Sequence, residues 1–170
     1  MPAYHSTQLE RFGNLESIGG IPLVPLRTKT PGPAQNHDDA VDEALRLFRP
    51  NCFFKNFEIK DDGDRLLVYL ILFISQCLGT LGPNITKSEA KKNLHNLAVS
   101  RFSVPGDPDF SLKSVYPANT DINSKERLRQ YLQQARQETA MRLLDIVYED
   151  NTPSKWWLSF QKRHFMGKHL

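Results

Sequence analysis

The chain has 170 residues, 39% of them hydrophobic and 24% charged, with a formal net charge of +3. That length predicts one domain, two at most, with room for a sizeable core, and the composition is that of a soluble globular protein. A charge of +3 is too small to mark a nucleic-acid binder on its own, and no basic leader followed by an apolar stretch opens the sequence, so no secretory signal is read.

Residues 1–36 carry five prolines, Pro2, Pro22, Pro25, Pro31 and Pro33, together with Gly19-Gly20 and Pro31-Gly32-Pro33. Such a stretch is not expected to sustain a helix. It is nevertheless apolar at Leu9, Phe12, Leu15, Ile18, Ile21, Leu23, Val24 and Leu26. The prediction is an extended arm lying on a surface, its own or a partner's, with a strand-like piece within Ile21 to Leu26.

The first helix is predicted to begin near Asp38. Val41, Ala44, Leu45 and Phe48 fall on one helical face. Asp38, Asp39, Asp42 and Glu43 crowd the positive end of the dipole, and Pro50 is expected to stop the helix. An aromatic connector, Cys52 to Lys60, leads to the most informative segment, Asp62 to Leu81. Residues 66–74 are nine apolar residues in a row. A helix apolar on every side must be wrapped by others or span a membrane, and this one falls short of the ~20 apolar residues a bilayer needs. It is read as a buried central helix, with a buried strand as the alternative.

Thr86 and Glu89 form a capping box for a third helix running to about Ser100. That assigns Asn84-Ile85-Thr86 to a turn and cap rather than to glycosylation. Residues 102–123 lack periodicity; Phe102, Phe110, Leu112 and Tyr116 are the expected anchors of this long loop. The fourth helix, capped by Asn123 or Ser124, carries a stripe of Leu128, Leu132, Ala135, Thr139, Leu143 and Ile146. Arg127, Arg129, Arg136, Glu138 and Arg142 are expected on its opposite, solvated face. Thr152-Pro153 opens a fifth helix, predicted to hold Trp156, Trp157, Phe160 and Phe165 and to stop near Gly167. The fold class is therefore all-α. One apolar central helix (about 62–81) is surrounded by the others in a five-helix, bundle-like domain over residues 37–170, preceded by the proline-rich arm, 1–36.

No catalytic set stands out. His5, His37, His95, His164 and His169 show no metal-ligand spacing. No glycine-rich loop follows a strand, and no activated nucleophile is apparent. Asp61, Asp62 and Asp64 around Gly63 lack the bidentate glutamate of a calcium loop, since position 69 is Tyr69; they read as an acidic helix start. Cys52 and Cys77 read as buried thiols in a reducing compartment. Neither a cofactor nor a metal is expected.

The C-terminus is more telling. From Asn151 onward there is no Asp or Glu, while Lys155, Lys162, Arg163 and Lys168 add four positive charges. Trp156 and Trp157 are adjacent and so point about 100° apart on a helix, which leaves one of them interfacial. Lys155, Trp156, Lys162, Arg163 and Lys168 are the candidate interface residues. They would dock on an acidic protein surface. The competing readings are solvated charges over packed aromatics, a helical nucleic-acid-binding module, and an interfacial membrane helix over 154–166.

One resemblance covers essentially the whole chain. It is carried by Met1-Pro2-Ala3-Tyr4-His5-Ser6, Val41-Asp42-Glu43-Ala44, Phe53-Phe54-Lys55-Asn56 and Glu58-Ile59-Lys60. Pro105-Gly106-x-Pro108-x-Phe110, Tyr131-Leu132-Gln133-Gln134 and Arg136-Gln137-Glu138-Thr139 continue it. Its strongest piece is Pro153-Ser154-Lys155-Trp156-Trp157, followed by Phe160, Lys162-Arg163, Phe165-Met166, Lys168 and Leu170. In these motifs the sequence resembles the subunit 3 family of the actin-related protein 2/3 complex. The resemblance implies an all-helical, non-enzymatic subunit of a seven-protein assembly that nucleates branched actin filaments. It implies contacts with the actin-related protein 3 subunit and the mother filament, a place in the cytoplasm and cortical actin cytoskeleton, and no nucleic-acid partner or membrane insertion. ATP binding would belong to the actin-related subunits.

Overall fold

The computed structural model describes residues 3–27, 38–119 and 121–170. Pro2, the Pro31-Gly32-Pro33 breaker and His37 lie outside them. The described residues are mostly helical, with one small two-stranded sheet. In chain order come α1 (Gln8–Phe12), β1 (Ser17–Ile18), β2 (Ile21–Pro22), α2 (Ala40–Asn51), α3 (Asp62–Gly79), α4 (Lys87–Val99), α5 (Ile122–Val147) and α6 (Lys155–Leu158). A 3-10 turn over Phe165–Gly167 closes the chain.

α3 is buried on every side. Residues 66–74, together with Gly63, Asp64, Cys77 and Leu78, are all inaccessible. It packs against α2, α5, β2 and α1, while α4 lies along α5. The missing polar face of the sequence is thus matched by protein on all sides, and among the described residues no helix is long and apolar enough to cross a membrane. Both ends of α3 are tied by hydrogen bonds. Asp61 caps its start by accepting from the Asp64 N–H. Near its end, Gln161 Nε2 donates to the carbonyl of Leu78 at 2.6 Å.

The N-terminal stretch departs from a helix-free arm. α1 forms in its proline-free part, and β1 and β2 pair antiparallel around Gly19-Gly20. Both glycines have positive φ, 59° and 78°, the left-handed pair of a two-residue hairpin turn. Ile18, Ile21 and Val24 join the main core. Polar ties fix the rest. Asn51 exchanges two hydrogen bonds with the Tyr4 backbone. The inaccessible Asp64 carboxylate accepts from Ser6 N, Lys60 N and His5 Nδ1. Glu43 accepts from Thr7 and Gln8.

α2 starts on Asp39, whose side chain accepts from the Asp42 N–H, and passes Pro50 to end at Asn51. Proline is tolerated here because the helix ends one residue later, and Asn51 is held by Tyr4. The Thr86–Glu89 capping box of α4 is present. α5 is capped by Asp121 rather than by Asn123 or Ser124; its carboxylate accepts from the Ser124 N–H. The α5 stripe is buried from Leu128 to Leu143, but the last position is Val147, with Ile146 43% exposed. The stripe's final step is thus four residues, 143 to 147, rather than three.

Two further expectations are corrected. Arg136 is not on a solvated face: it is buried, 2% exposed. The segment after Pro153 is not one long helix. α6 stops at Leu158, where the Ser159 hydroxyl donates to the Trp156 carbonyl. Trp157, Phe160 and Phe165 must all face inward, and the five-residue step from 160 to 165 places them about 140° apart on a continuous helix.

An ion-pair network joins α2 to α5. Arg142 Nη1 lies 2.7 Å from Asp39 and 3.2 Å from Asp42, and its Nη2 lies 3.2 Å from Glu138. Burial alone pushes the Asp39 carboxyl up. Hydrogen bonds from Arg142 and from the Asp42 and Arg27 N–H groups outweigh it and hold the carboxyl below its ordinary value. A depressed folded pKa contributes stability that is complete above the unfolded value, about 4, and is lost as pH falls through the folded one. Asp39→Asn should therefore cost roughly 1–3 kcal/mol at pH 7 and flatten the loss of stability below about pH 4. Urea melts at pH 7 and pH 3 read both effects; an unchanged acid limb would refute the assignment.

Candidate interaction face

The two most exposed aromatic residues among the described ones, Phe53 and Trp156, meet where the end of α2, the connector after it and the C-terminal segment come together. Phe53 is 57% exposed and Trp156 58% exposed. Both stand edge-on to the buried Phe160, at centroid distances of 5.8 and 6.1 Å. Trp157, next in sequence to Trp156, points inward and stacks on Phe48 at 6.1 Å. The geometry expected of neighbouring indoles thus places one ring in the core and one on the surface.

Two guanidinium groups cover these rings. Arg49 of α2 sits 3.6 Å above the Trp156 ring and 4.8 Å from that of Trp157. Arg163 sits 4.8 Å above Phe53. Such cation–π contacts are worth about 0.5–1 kcal/mol when exposed and more when desolvated. Arg49 Nη1 is buried against the indoles with no hydrogen-bond partner among the described residues, and burial holds this guanidinium below its ordinary pKa. It is a cation in need of an acceptor.

Lys155, Lys162 and Arg163 are exposed, and Lys168 is half-buried. Among the described residues none of the four makes an ion pair. Lys168 borders a shallow hollow with Lys55, Phe57, Met166 and the acidic Glu58. The Met166 N–H donates to the Phe54 carbonyl at 3.1 Å, which fastens this end to the connector. The structure brings Arg163 onto Phe53 and sets Lys155 beside Trp156; Lys168 lies further along, next to Lys55.

Arg49, Phe53 and Phe160 were not among the interface candidates read from the sequence. Their partners are about 110 residues away, and only an unbroken Phe53-Phe54 pair after a helix hinted that one ring would be left outside. The site holds no acid–base pair and no nucleophile: Cys52 is buried, and burial pushes its thiol up to about 11. No cluster of three His, Cys, Asp or Glu side chains suited to a metal occurs among the described residues.

Comparison with known proteins gives a consistent result. The family model for P21-Arc, the ARP2/3 complex ARPC3 (21 kDa) subunit, matches residues 1–170. The chain is 49% identical over 178 residues to actin-related protein 2/3 complex subunit 3 of Saccharomyces cerevisiae, covering all of both chains. It is 46% identical over 176 residues to the subunit of the same name in Schizosaccharomyces pombe, again over all of both. The probable subunit 3 of Caenorhabditis elegans is 44% identical over 180 residues, which cover all of this chain and 96% of that one.

Proposed function

The chain belongs to the family of the ARP2/3 complex 21 kDa subunit, and from that membership we propose that it is a non-catalytic structural subunit supporting the nucleation of branched actin filaments. It meets the actin-related protein 3 subunit and other members of the seven-protein complex, contacts the mother filament, and works in the cytoplasm within cortical actin structures. The full-length family match carries this reading.

Within that role, Lys155, Trp156, Lys162, Arg163 and Lys168 form the face that docks on an acidic protein surface. The support is geometric. Exposed aromatic rings flanked by cations without carboxylate partners are what an acidic surface with an apolar edge would cover. Charges at the rim mostly accelerate encounter and make it salt-sensitive. A nucleic-acid-binding module would draw on the same charges with no observation of its own.

Lys162→Glu with Arg163→Glu should slow branch formation in a reconstituted assembly several-fold to about tenfold, more at low salt. Incorporation of the subunit should be normal. Unchanged branching would remove these residues from the filament contact. Residues 1–36 are assigned to docking within the complex and residues 37–170 to the helical body, with Tyr4 and Phe12 as outward-facing apolar residues of the arm. In the same reconstitution Tyr4→Glu with Phe12→Glu should lower recovery of the subunit; full recovery would reject the arm's role.

A further inference from the structure

Arg136 occupies an unusual position for a charged side chain. It is 2% exposed, and among the described residues no carboxylate lies within ion-pair distance of it. Its three nitrogens donate only to neutral oxygens: Nε to Ala98 O at 3.2 Å, Nη2 to Leu97 O at 2.9 Å and Nη1 to Tyr69 Oη at 3.2 Å. The rings of Phe73 and Phe102 lie 4.6 and 4.2 Å from its guanidinium carbon. The two carbonyls belong to the last turn of α4, so one edge of the guanidinium caps that helix. With the bond to Tyr69, these contacts leave two of its five N–H donors unused, and they do not neutralise a full positive charge.

The same side chain borders a cavity of about 430 Å³ between α3, α5 and the loop after α4. Tyr69, Gln76, Arg101, Ser103 and Leu170 share its wall, as does one carboxylate, that of Asp109. Tyr69 is 1% exposed. Its oxygen accepts from Arg136, and its own proton has no acceptor among the described residues. Burial keeps this phenol above its ordinary pKa, so it is a donor at neutral pH. Gln76 Oε1 is buried on the same wall without a hydrogen-bond partner among the described residues. A half-turn of that amide presents its NH2 group instead. Arg101 is exposed, with Asp109 4.0 Å away as its one carboxylate neighbour among the described residues.

We propose that this cavity binds a phosphate-class oxyanion, held by the free N–H groups of Arg136, the Tyr69 hydroxyl and the Gln76 amide, with Arg101 at the entrance. Two features favour phosphate over carboxylate. The donors come from three chain segments and approach from different directions, which suits a tetrahedral acceptor better than a planar one. The cavity also has room for more than a carboxylate group. The inference is independent of the filament-docking face, which lies on other residues.

The test is titration of the full-length chain with inorganic phosphate at constant ionic strength, read by calorimetry and by the Arg136 side-chain N–H resonance. Saturable binding that sodium chloride does not mimic is expected. Tyr69→Phe keeps the ring and removes the donor, and should weaken binding about tenfold while leaving the far-ultraviolet circular dichroism unchanged. Arg101→Glu lies at the surface, cannot disturb the core, and should weaken binding by a similar factor. A phenyl phosphate arm separates a free ion from an esterified group, and either order of affinity supports the site. Heats equal to those of sodium chloride, affinity unchanged in both variants, or acetate binding as tightly as phosphate would each overturn the assignment.

Discussion

Gly106→Ala should destabilise the protein by at least about 3 kcal/mol, which lowers the melting temperature by about 6–12 °C for a chain of this size. Gly106 adopts φ +102°, and a Cβ built there would lie 1.8 Å from the Asn119 carbonyl oxygen. That contact is with backbone, so no side chain can swing away to relieve it. The neighbouring Asp107 carboxylate accepts from Val104 N and Arg129 and lies 3.7 Å from the Lys125 ammonium. Moving the turn therefore also loosens the start of α5. Gly82→Ala is the control: a Cβ there meets nothing within 4 Å, and the change should stay within about 0.5 kcal/mol. Equal melting temperatures for the two variants would refute the backbone clash.

Phe73→Ala should cost about 3–5 kcal/mol, the usual range for deleting a buried phenyl ring. Phe73 is fully inaccessible at the middle of α3 and supports the Arg136 guanidinium with its face. The loss combines transfer of the ring, the void it leaves and a buried cation without its π neighbour. Phe73→Leu fills much of the void and should keep the fold in the event that the alanine variant fails to express. Ile122→Ala, at a site 77% exposed, should change stability by less than about 0.5 kcal/mol. Urea midpoints that rank the three variants in any other order would mean that α3 is not enclosed.

The helices that were legible in the sequence are those whose signal is local. The unbroken apolar run of α3 announced burial on all sides. Thr86 and Glu89 fixed the start of α4 within one residue, and the Leu128–Leu143 stripe fixed the inner face of α5. Illegible features depend on distant partners. Arg136 looked like one more surface charge, because the carbonyls and rings that receive it belong to α3, α4 and the following loop. Arg49 and Trp156 meet across more than a hundred residues. The C-terminal segment carries helix-forming residues, but Trp157, Phe160 and Phe165 all seek the core, and packing outweighs local propensity there. In the N-terminal stretch the prolines hid a short helix and a hairpin whose stability comes from docking on the body. Of the interaction face, the charges and the outward indole were foreseeable; their stacking with Phe53 and Arg49 was not.

The N-terminal hairpin has a consequence for biosynthesis. Glu16 pairs with Arg127, and the Val24 carbonyl accepts from the Tyr131 hydroxyl, across separations of 111 and 107 residues. At a translation rate of ~5–20 residues per second, the first-made segment waits on the order of 5–20 s for its seat to be synthesised. Ile18, Ile21 and Val24 remain uncovered during that interval. The nascent protein is therefore most vulnerable at the end that leaves the ribosome first, and it is there that a chaperone would need to hold it.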